Sequence, residues 1–190
     1  MLRQIAVGPY QANCYILGCD QTKEGLVIDP GDEAVRIVTE ISKLGLNIRH
    51  ILITHGHIDH VGGARELKEI TKAPVWIHPS DAGALGFPPD GDLYEGQTIS
   101  WGKFTLSVIH TPGHSAGGVC FHAPGAVFTG DTLFAGSIGR TDFPGGNHQL
   151  LIQGVIEKIF PLGDELRVYP GHGPHSTIGQ ERKFNPFFRA

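Results

Sequence analysis

Thr54-His55-Gly56-His57-Ile58-Asp59-His60 carries three imidazoles and a carboxylate on the consecutive residues from His55 to His60. Four ligand-type side chains rarely gather so closely in a merely solvated loop. Imidazole nitrogen and carboxylate oxygen together suit zinc, iron or manganese. In an extended chain, residues two apart point the same way. His55, His57 and Asp59 can therefore converge on one side, while His60 turns towards a neighbouring position. The same stretch decides the fold. It leaves the end of an apolar segment, residues 50–54, that reads as a short strand, and Gly62-Gly63 permits a tight turn into a helix over 64–71. Ligands sit at such strand ends in layered α/β proteins.

Before this stretch, residues 4–7, 14–17 and 26–28 read as strands, and Asp29-Pro30-Gly31 is a turn signal. A helix is expected over 33–44, with Val35, Val38 and Ile41 marking its apolar face and Gly45 ending it. Beyond the His-rich loop, 74–78 is a further strand, and the Gly/Pro/Asp-rich residues 80–97 read as loop. The second half repeats the theme, with strands at 104–110, 118–122 and 126–129, a long loop at 131–146, a helix over 147–160 and a last strand at 166–169. Two sheets packed between outer helices is the economical α/β architecture, within one domain over residues 1–190.

The chain has 15 Lys plus Arg against 19 Asp plus Glu, a formal charge of −4, and no basic run of the kind that grips phosphate backbones. Nucleic acid is not expected as a partner. No stretch is apolar for long enough to span a bilayer, and the N-terminal residues lack the apolar centre of an export signal. Cys14, Cys19 and Cys120 are sparse, odd in number and lack metal-type pairing. They read as small buried hydrophobes in a reducing, cytoplasmic compartment.

Three later positions share one context, in which a strand ends, a glycine allows close approach and a ligand-type residue is at hand. They are Thr111-Pro112-Gly113-His114, Thr129-Gly130-Asp131 and Pro170-Gly171-His172-Gly173. Each is weak alone, but their recurrence beside the first cluster adds His114, Asp131 and His172 to the set. Seven ligands exceed the needs of one tetrahedral ion. They suit two ions if Asp131 bridges and water supplies the rest.

With His55, His57, Asp59, His60, His114, Asp131 and His172 in this order, the chain resembles the metallo-β-lactamase fold superfamily along nearly its whole length. That family's four-layer αββα sandwich agrees with the strand and helix pattern above. The resemblance implies that His55, His57 and His114 hold a first metal ion, that Asp59, His60 and His172 hold a second, and that Asp131 lies between them. Within the superfamily the chain is similar to glyoxalase II, the hydroxyacylglutathione hydrolases, in their short bacterial form. The similarity rests on Asp131-Thr132-Leu133-Phe134-Ala135-Gly136 and on the tail from Pro170-Gly171-His172-Gly173-Pro174 through Ser176-Thr177, Glu181-Arg182 and Asn185-Pro186-Phe187. It implies two divalent ions, with zinc the first expectation and iron or manganese the alternatives. They would sharpen a shared water into a hydroxide that attacks the thioester of an S-2-hydroxyacyl-glutathione, S-D-lactoylglutathione foremost. Asp59 would be both a ligand and an acceptor for the water proton.

Arg140 stands nine residues after Asp131, where glyoxalase II carries a lysine for the glutathione carboxylate. It can bind a carboxylate through two parallel hydrogen bonds, and it reads equally as a solvated loop charge. Two departures bear on substrate. Asp142 stands where that family has a tyrosine, and the family's C-terminal helical domain is missing from a chain that ends at Ala190. Asp29 reads equally as a turn former or as the acceptor for a ligand histidine's free N–H. His110 is assigned to structure. Gly139-Arg140-Thr141-Asp142-Phe143 also resembles the persulfide dioxygenases of this fold, in which His55, His114 and Asp131 would hold a single iron. Hydrolysis of a lactone or β-lactam, and a metal-binding module without activity, are the remaining alternatives.

Overall fold

The computed structural model describes residues 1–189. Strands β1 (Leu2–Val7) and β2 (Ala12–Gly18) form an antiparallel hairpin, and β3 (Glu24–Ile28) pairs antiparallel with β2. Helix α1 (Ala34–Leu44) then crosses to β4 (Asn47–Leu52), parallel to β3. Helices α2 (Ile58–Val61) and α3 (Ala64–Thr71) cross to β5 (Val75–Ile77), and β6 (Gly91–Asp92) completes a six-stranded sheet in sequential order. Parallel neighbours need such crossovers, because a tight hairpin can join only antiparallel strands.

The second sheet begins with the antiparallel run β7 (Thr98–Trp101), β8 (Phe104–His110), β9 (Val119–Ala123) and β10 (Ala126–Gly130). A small hairpin, β11 (Leu133–Phe134) with β12 (Ser137–Ile138), precedes α4 (His148–Gly154). β13 (Arg167–Pro170) returns parallel to β10, β14 (Ser176–Thr177) forms the edge, and α5 (Ile178–Phe184) follows.

Side chains alternate between the two faces of a strand, and both faces of these sheets are buried. Tyr15, Leu17, Leu26, Ile28 and Leu52 meet Leu106, Val108, Val119, Phe121 and Phe128 between the sheets. The alternate residues Cys14, Ile16, Val27 and Ile51 pack under Ile37, Ile41 and Leu67 of the outer helices. Ile109, Cys120, Val127 and Val168 do the same against Leu151, Val155, Ile159 and Ile178. This is the four-layer αββα sandwich expected from the sequence. The three cysteines are buried and unpaired. No helix among the described residues is long and apolar enough to cross a membrane.

Several local expectations need correction. Glu33 is not the first helical residue. It caps α1 from a left-handed conformation, φ 52°. Of the expected apolar face, Ile41 is buried with Ala34 and Ile37, Val38 packs partly against the core, and Val35 is 65% exposed. Residues 80–97 are not simply loop: Pro79–Leu85 forms a 3-10 turn and Gly91–Asp92 pairs with β5. The loop 131–146 contains the β11–β12 hairpin. The last long helix is α only to Gly154 and continues as a π turn, Val155–Ile159, and a 3-10 turn, Phe160–Leu162. Short strands and non-α turns rest on pairing and packing rather than on periodicity, so a sequence pattern shows them poorly.

Candidate metal centre

Every ligand-type residue of the sequence pattern lies just past the carboxyl end of a strand. His55 and His57 follow β4, with Asp59 and His60 in the single turn of α2. His114 lies between β8 and β9, Asp131 directly follows β10, and His172 follows β13. Strands β8, β10 and β13 run in the same direction, so their loops emerge at one edge. The two sheets are tied there by Val119 N–H donating to the Thr54 carbonyl at 2.8 Å.

The seven side chains converge as two groups. His55 Nε2 and His57 Nδ1 lie 3.2 and 2.8 Å from His114 Nε2. His172 Nε2 lies 3.3 Å from His60 Nε2 and 3.1 Å from Asp59 Oδ2. Asp131 stands between them, with Oδ2 3.5 Å from His114 Nε2 and 3.6 Å from His172 Nε2, and Oδ1 3.4 Å from His60 Nε2. Nitrogens bound at about 2.0–2.1 Å around a tetrahedral ion stand roughly 3.3 Å apart, close to most of these spacings. Asp131 Oδ1 is buried and makes no well-formed hydrogen bond, with His60 Nε2 3.4 Å away as its nearest ring nitrogen, an unusual state for a carboxylate oxygen unless a cation serves it. The donor set and this orphaned oxygen fit a pair of metal ions. Either triad can also be satisfied by zinc or iron, so the metal is not specified by geometry.

The histidines are oriented from behind. His60 Nδ1 meets Asp29 Oδ2 at 2.9 Å, His114 Nδ1 meets the Arg140 carbonyl at 2.8 Å, and His55 Nδ1 meets Thr54 Oγ1 at 3.0 Å. Such partners fix the tautomer, so that the other nitrogen presents its lone pair. Asp29, read equally as a turn former, is placed as an acceptor behind His60, and it also accepts from the Thr54 N–H and hydroxyl. Burial pushes His55 well below the usual imidazole range, which keeps it neutral. Burial would also lower His60, but Asp29 and Asp131 face its two ring nitrogens and raise it to about 10. A proton and a metal ion compete for that position. Burial opposes ionisation of Asp59, yet the His172 hydrogen bond and the His60 charge bring it down to about 2.

A cleft of about 590 Å³ opens onto the cluster, walled by Tyr10, Ile58, Phe134 and Phe143, with Arg140 at its margin. Arg140 is exposed, donates to Asp142 through Nε and Nη2 at 2.8 Å each, and stacks 3.6 Å over the Phe143 ring. Its guanidinium borders the cleft but already has a carboxylate partner. His110 stacks on His78 at 4.3 Å, away from the cluster.

Sequence reasoning missed Asn13 and Tyr15, which hold the His172 loop. Asn13 Nδ2 donates to the Pro170 and Gly173 carbonyls at 3.0 Å, and the Tyr15 hydroxyl donates to Pro170 at 2.6 Å. A buried asparagine inside an apolar strand was the available signal. Tyr10 and Ile58, 67% and 69% exposed, gave none beyond their nearness in the fold.

Residues 7–172 match the family model of the metallo-beta-lactamase superfamily. The chain belongs to that superfamily. It is 38% identical to hydroxyacylglutathione hydrolase GloC of Haemophilus influenzae, over 98% of this chain and 97% of that one. Among solved structures, BLEG-1 B3 metallo-beta-lactamase superposes with a TM-score of 0.95 at 37% identity, covering 100% of both chains. TTHA1623, solved in a di-iron-bound form, superposes at 0.84 and 37% identity over 97% of this chain and 99% of that one. The protein is thus a metallo-hydrolase of this superfamily, and its His/Asp cluster is compatible with a binuclear site.

Proposed function

We propose that the protein hydrolyses the thioester of S-2-hydroxyacyl-glutathione, with S-D-lactoylglutathione the leading substrate. The supporting observation is the pair of triads sharing Asp131, in a chain similar from end to end to a hydroxyacylglutathione hydrolase. His55, His57 and His114 would hold one divalent ion, and Asp59, His60 and His172 the other, with Asp131 between them. Zinc is the first expectation, with iron or manganese as alternatives. Such a pair would supply a hydroxide nucleophile near neutral pH and positive charge opposite the carbonyl oxygen and the departing thiolate.

The remaining work belongs to the protein. Asp59 lines the cleft beside the second triad, and its carboxylate is the acceptor assigned to the proton of the attacking water. Tyr10, Ile58, Phe134 and Phe143 offer apolar contact to the substrate along the cleft walls. Arg140 binds a carboxylate of the glutathione arm by exchanging its bidentate contact with Asp142. One domain over the chain suffices for these roles, and three unpaired cysteines support a cytoplasmic setting.

The test is made on one metal-quantified preparation. It measures hydrolysis of S-D-lactoylglutathione, oxygen uptake on glutathione persulfide and turnover of a chromogenic β-lactam. Metal-dependent thioester hydrolysis is expected to dominate. Oxygen uptake with a single bound iron would assign the site to persulfide oxidation instead, and β-lactam turnover exceeding thioester turnover would assign it to the activity named for BLEG-1.

A further inference from the structure

The 3-10 turn Pro79–Leu85 contributes nothing to the cluster directly, yet its Asp81 touches both loops that supply the first triad. Asp81 Oδ2 accepts the Gly56 N–H at 2.9 Å, and Oδ1 accepts the Gly117 N–H at 2.8 Å. Gly56 separates His55 from His57, and Gly117 lies three residues past His114. The first loop extends from β4 in one sheet, and the second joins β8 to β9 in the other. One carboxylate therefore links the two halves of the sandwich at the metal centre. Hydrogen bonds to an ionised acceptor are roughly twice as strong as neutral ones.

The surroundings are shaped for this contact. A Cβ on Gly117 would lie 2.7 Å from Asp81 Cγ, and one on Gly56 would lie 2.8 Å from Ala84 Cβ and 3.0 Å from the Asp81 carbonyl oxygen. Neither glycine can be enlarged without pushing the turn away. The turn is itself braced, because Asp81 N–H donates to the His78 carbonyl at 2.9 Å and His78 Nδ1 accepts the Ser80 N–H at 3.2 Å.

We propose that Asp81 is a positioning residue that sets the separation of His55 and His57 from His114, and so tunes the first metal site in preference to the second. The assignment rests on the reading that the two triads each hold one ion. The second triad is held differently. His60 is braced by Asp29, and the His172 loop by Asn13 and Tyr15.

The test is a zinc(II) titration of metal-free wild type, Asp81→Asn and Asp81→Ala against a chromophoric chelator, with melting temperatures of the same metal-free proteins. Asp81→Asn keeps the shape and one acceptor, so it also decides the question if Asp81→Ala does not fold. The expected result is two ions on wild type and, in the variants, one ion weakened by about 10-fold to 100-fold, while the other stays within about twofold of wild type. Wild type taking fewer than two ions would overturn the two-ion reading and this assignment with it. Two ions on wild type, with both retained at wild-type affinity in the variants, would overturn the Asp81 assignment alone. Equal weakening of both ions together with a lowered metal-free melting temperature would also overturn it, because that is the signature of general scaffold damage.

Discussion

Asp29→Asn is the perturbation whose consequence follows most directly from the geometry. Asp29 is 1% exposed. It accepts from the Thr54 N–H at 2.7 Å, the Thr54 hydroxyl at 2.6 Å and His60 Nδ1 at 2.9 Å. Asparagine keeps the shape but turns one acceptor into a donor. If the amide oxygen stays on the Thr54 N–H, the new NH2 faces His60 Nδ1. The Thr54 hydroxyl can turn its proton away and accept from the new NH2 while it still accepts from His55 Nδ1, 3.0 Å away, so the His55 tautomer is kept. His60 can relieve the conflict only by moving its proton to Nε2, the nitrogen that faces His172, Asp131 and Asp59. That tautomer offers an N–H where a metal needs a lone pair. The reverse amide orientation sets two donors, NH2 and Thr54 N–H, against each other, and a backbone amide has no second tautomer.

Loss of such a partner lowers metal affinity by about 10-fold to 100-fold, or roughly 1.4–2.7 kcal/mol at about 1.36 kcal/mol per decade. The ion at Asp59, His60 and His172 should weaken by this factor, while the ion at His55, His57 and His114 should change by less than about threefold. Competition titration with zinc(II) on the metal-free protein reads both constants. Wild-type affinity at both sites in Asp29→Asn would refute the claim that Asp29 holds the His60 tautomer.

Other substitutions probe the bridge, the cleft margin and a close approach of backbone. Asp131→Ala removes the carboxylate that faces both triads and should abolish most metal and activity together, as read by elemental analysis and thioester hydrolysis; a fully active, metal-free variant would remove Asp131 from the site. Arg140→Ala should raise KM for glutathione thioesters by about 3-fold to 10-fold with kcat within about twofold, the pattern of lost uniform binding; an unaltered KM would leave Arg140 as a loop charge paired with Asp142. Gly31→Ala would drive a Cβ into the Asp59 carbonyl and the His60 N. It should cost about 1–3 kcal/mol and lower Tm by roughly 2–12 °C, and an unchanged calorimetric melt would show that the Asp29 turn does not pack so tightly on the ligand loop.

Much of the site was legible because ligand chemistry is concentrated in the chain. His55 through His60 are adjacent, and His114, Asp131 and His172 each stand beside glycine at a strand end, a local context that survives without coordinates. The supporting residues are legible to different degrees. Asp29 announced a turn, but only its placement behind His60 distinguishes an acceptor from a turn former. Asn13 was visible as a polar residue in an apolar strand, without an indication of what it holds. Asp81 lies in a Gly/Pro/Asp-rich stretch that reads as irregular, and its contacts at Gly56 and Gly117 are 25 and 36 residues away. Val35 is exposed because the buried stripe runs through Ala34, Ile37 and Ile41 with Val38 at its edge, and an apolar residue just outside a stripe looks like part of it in sequence.

Residue pattern alone set the layered α/β architecture, the ligand-type residues and their attachment to strand ends, because alternation, turn chemistry and donor identity are properties of neighbouring residues. Packing settled that the seven ligand-type side chains gather as two groups about Asp131, and which groups stand behind His55, His60 and His114. It also decided that Arg140 leans on Asp142 and Phe143 at the mouth of the cleft. Those facts depend on how two sheets meet face to face, and distances between segments far apart in the chain are set by packing rather than by local pattern.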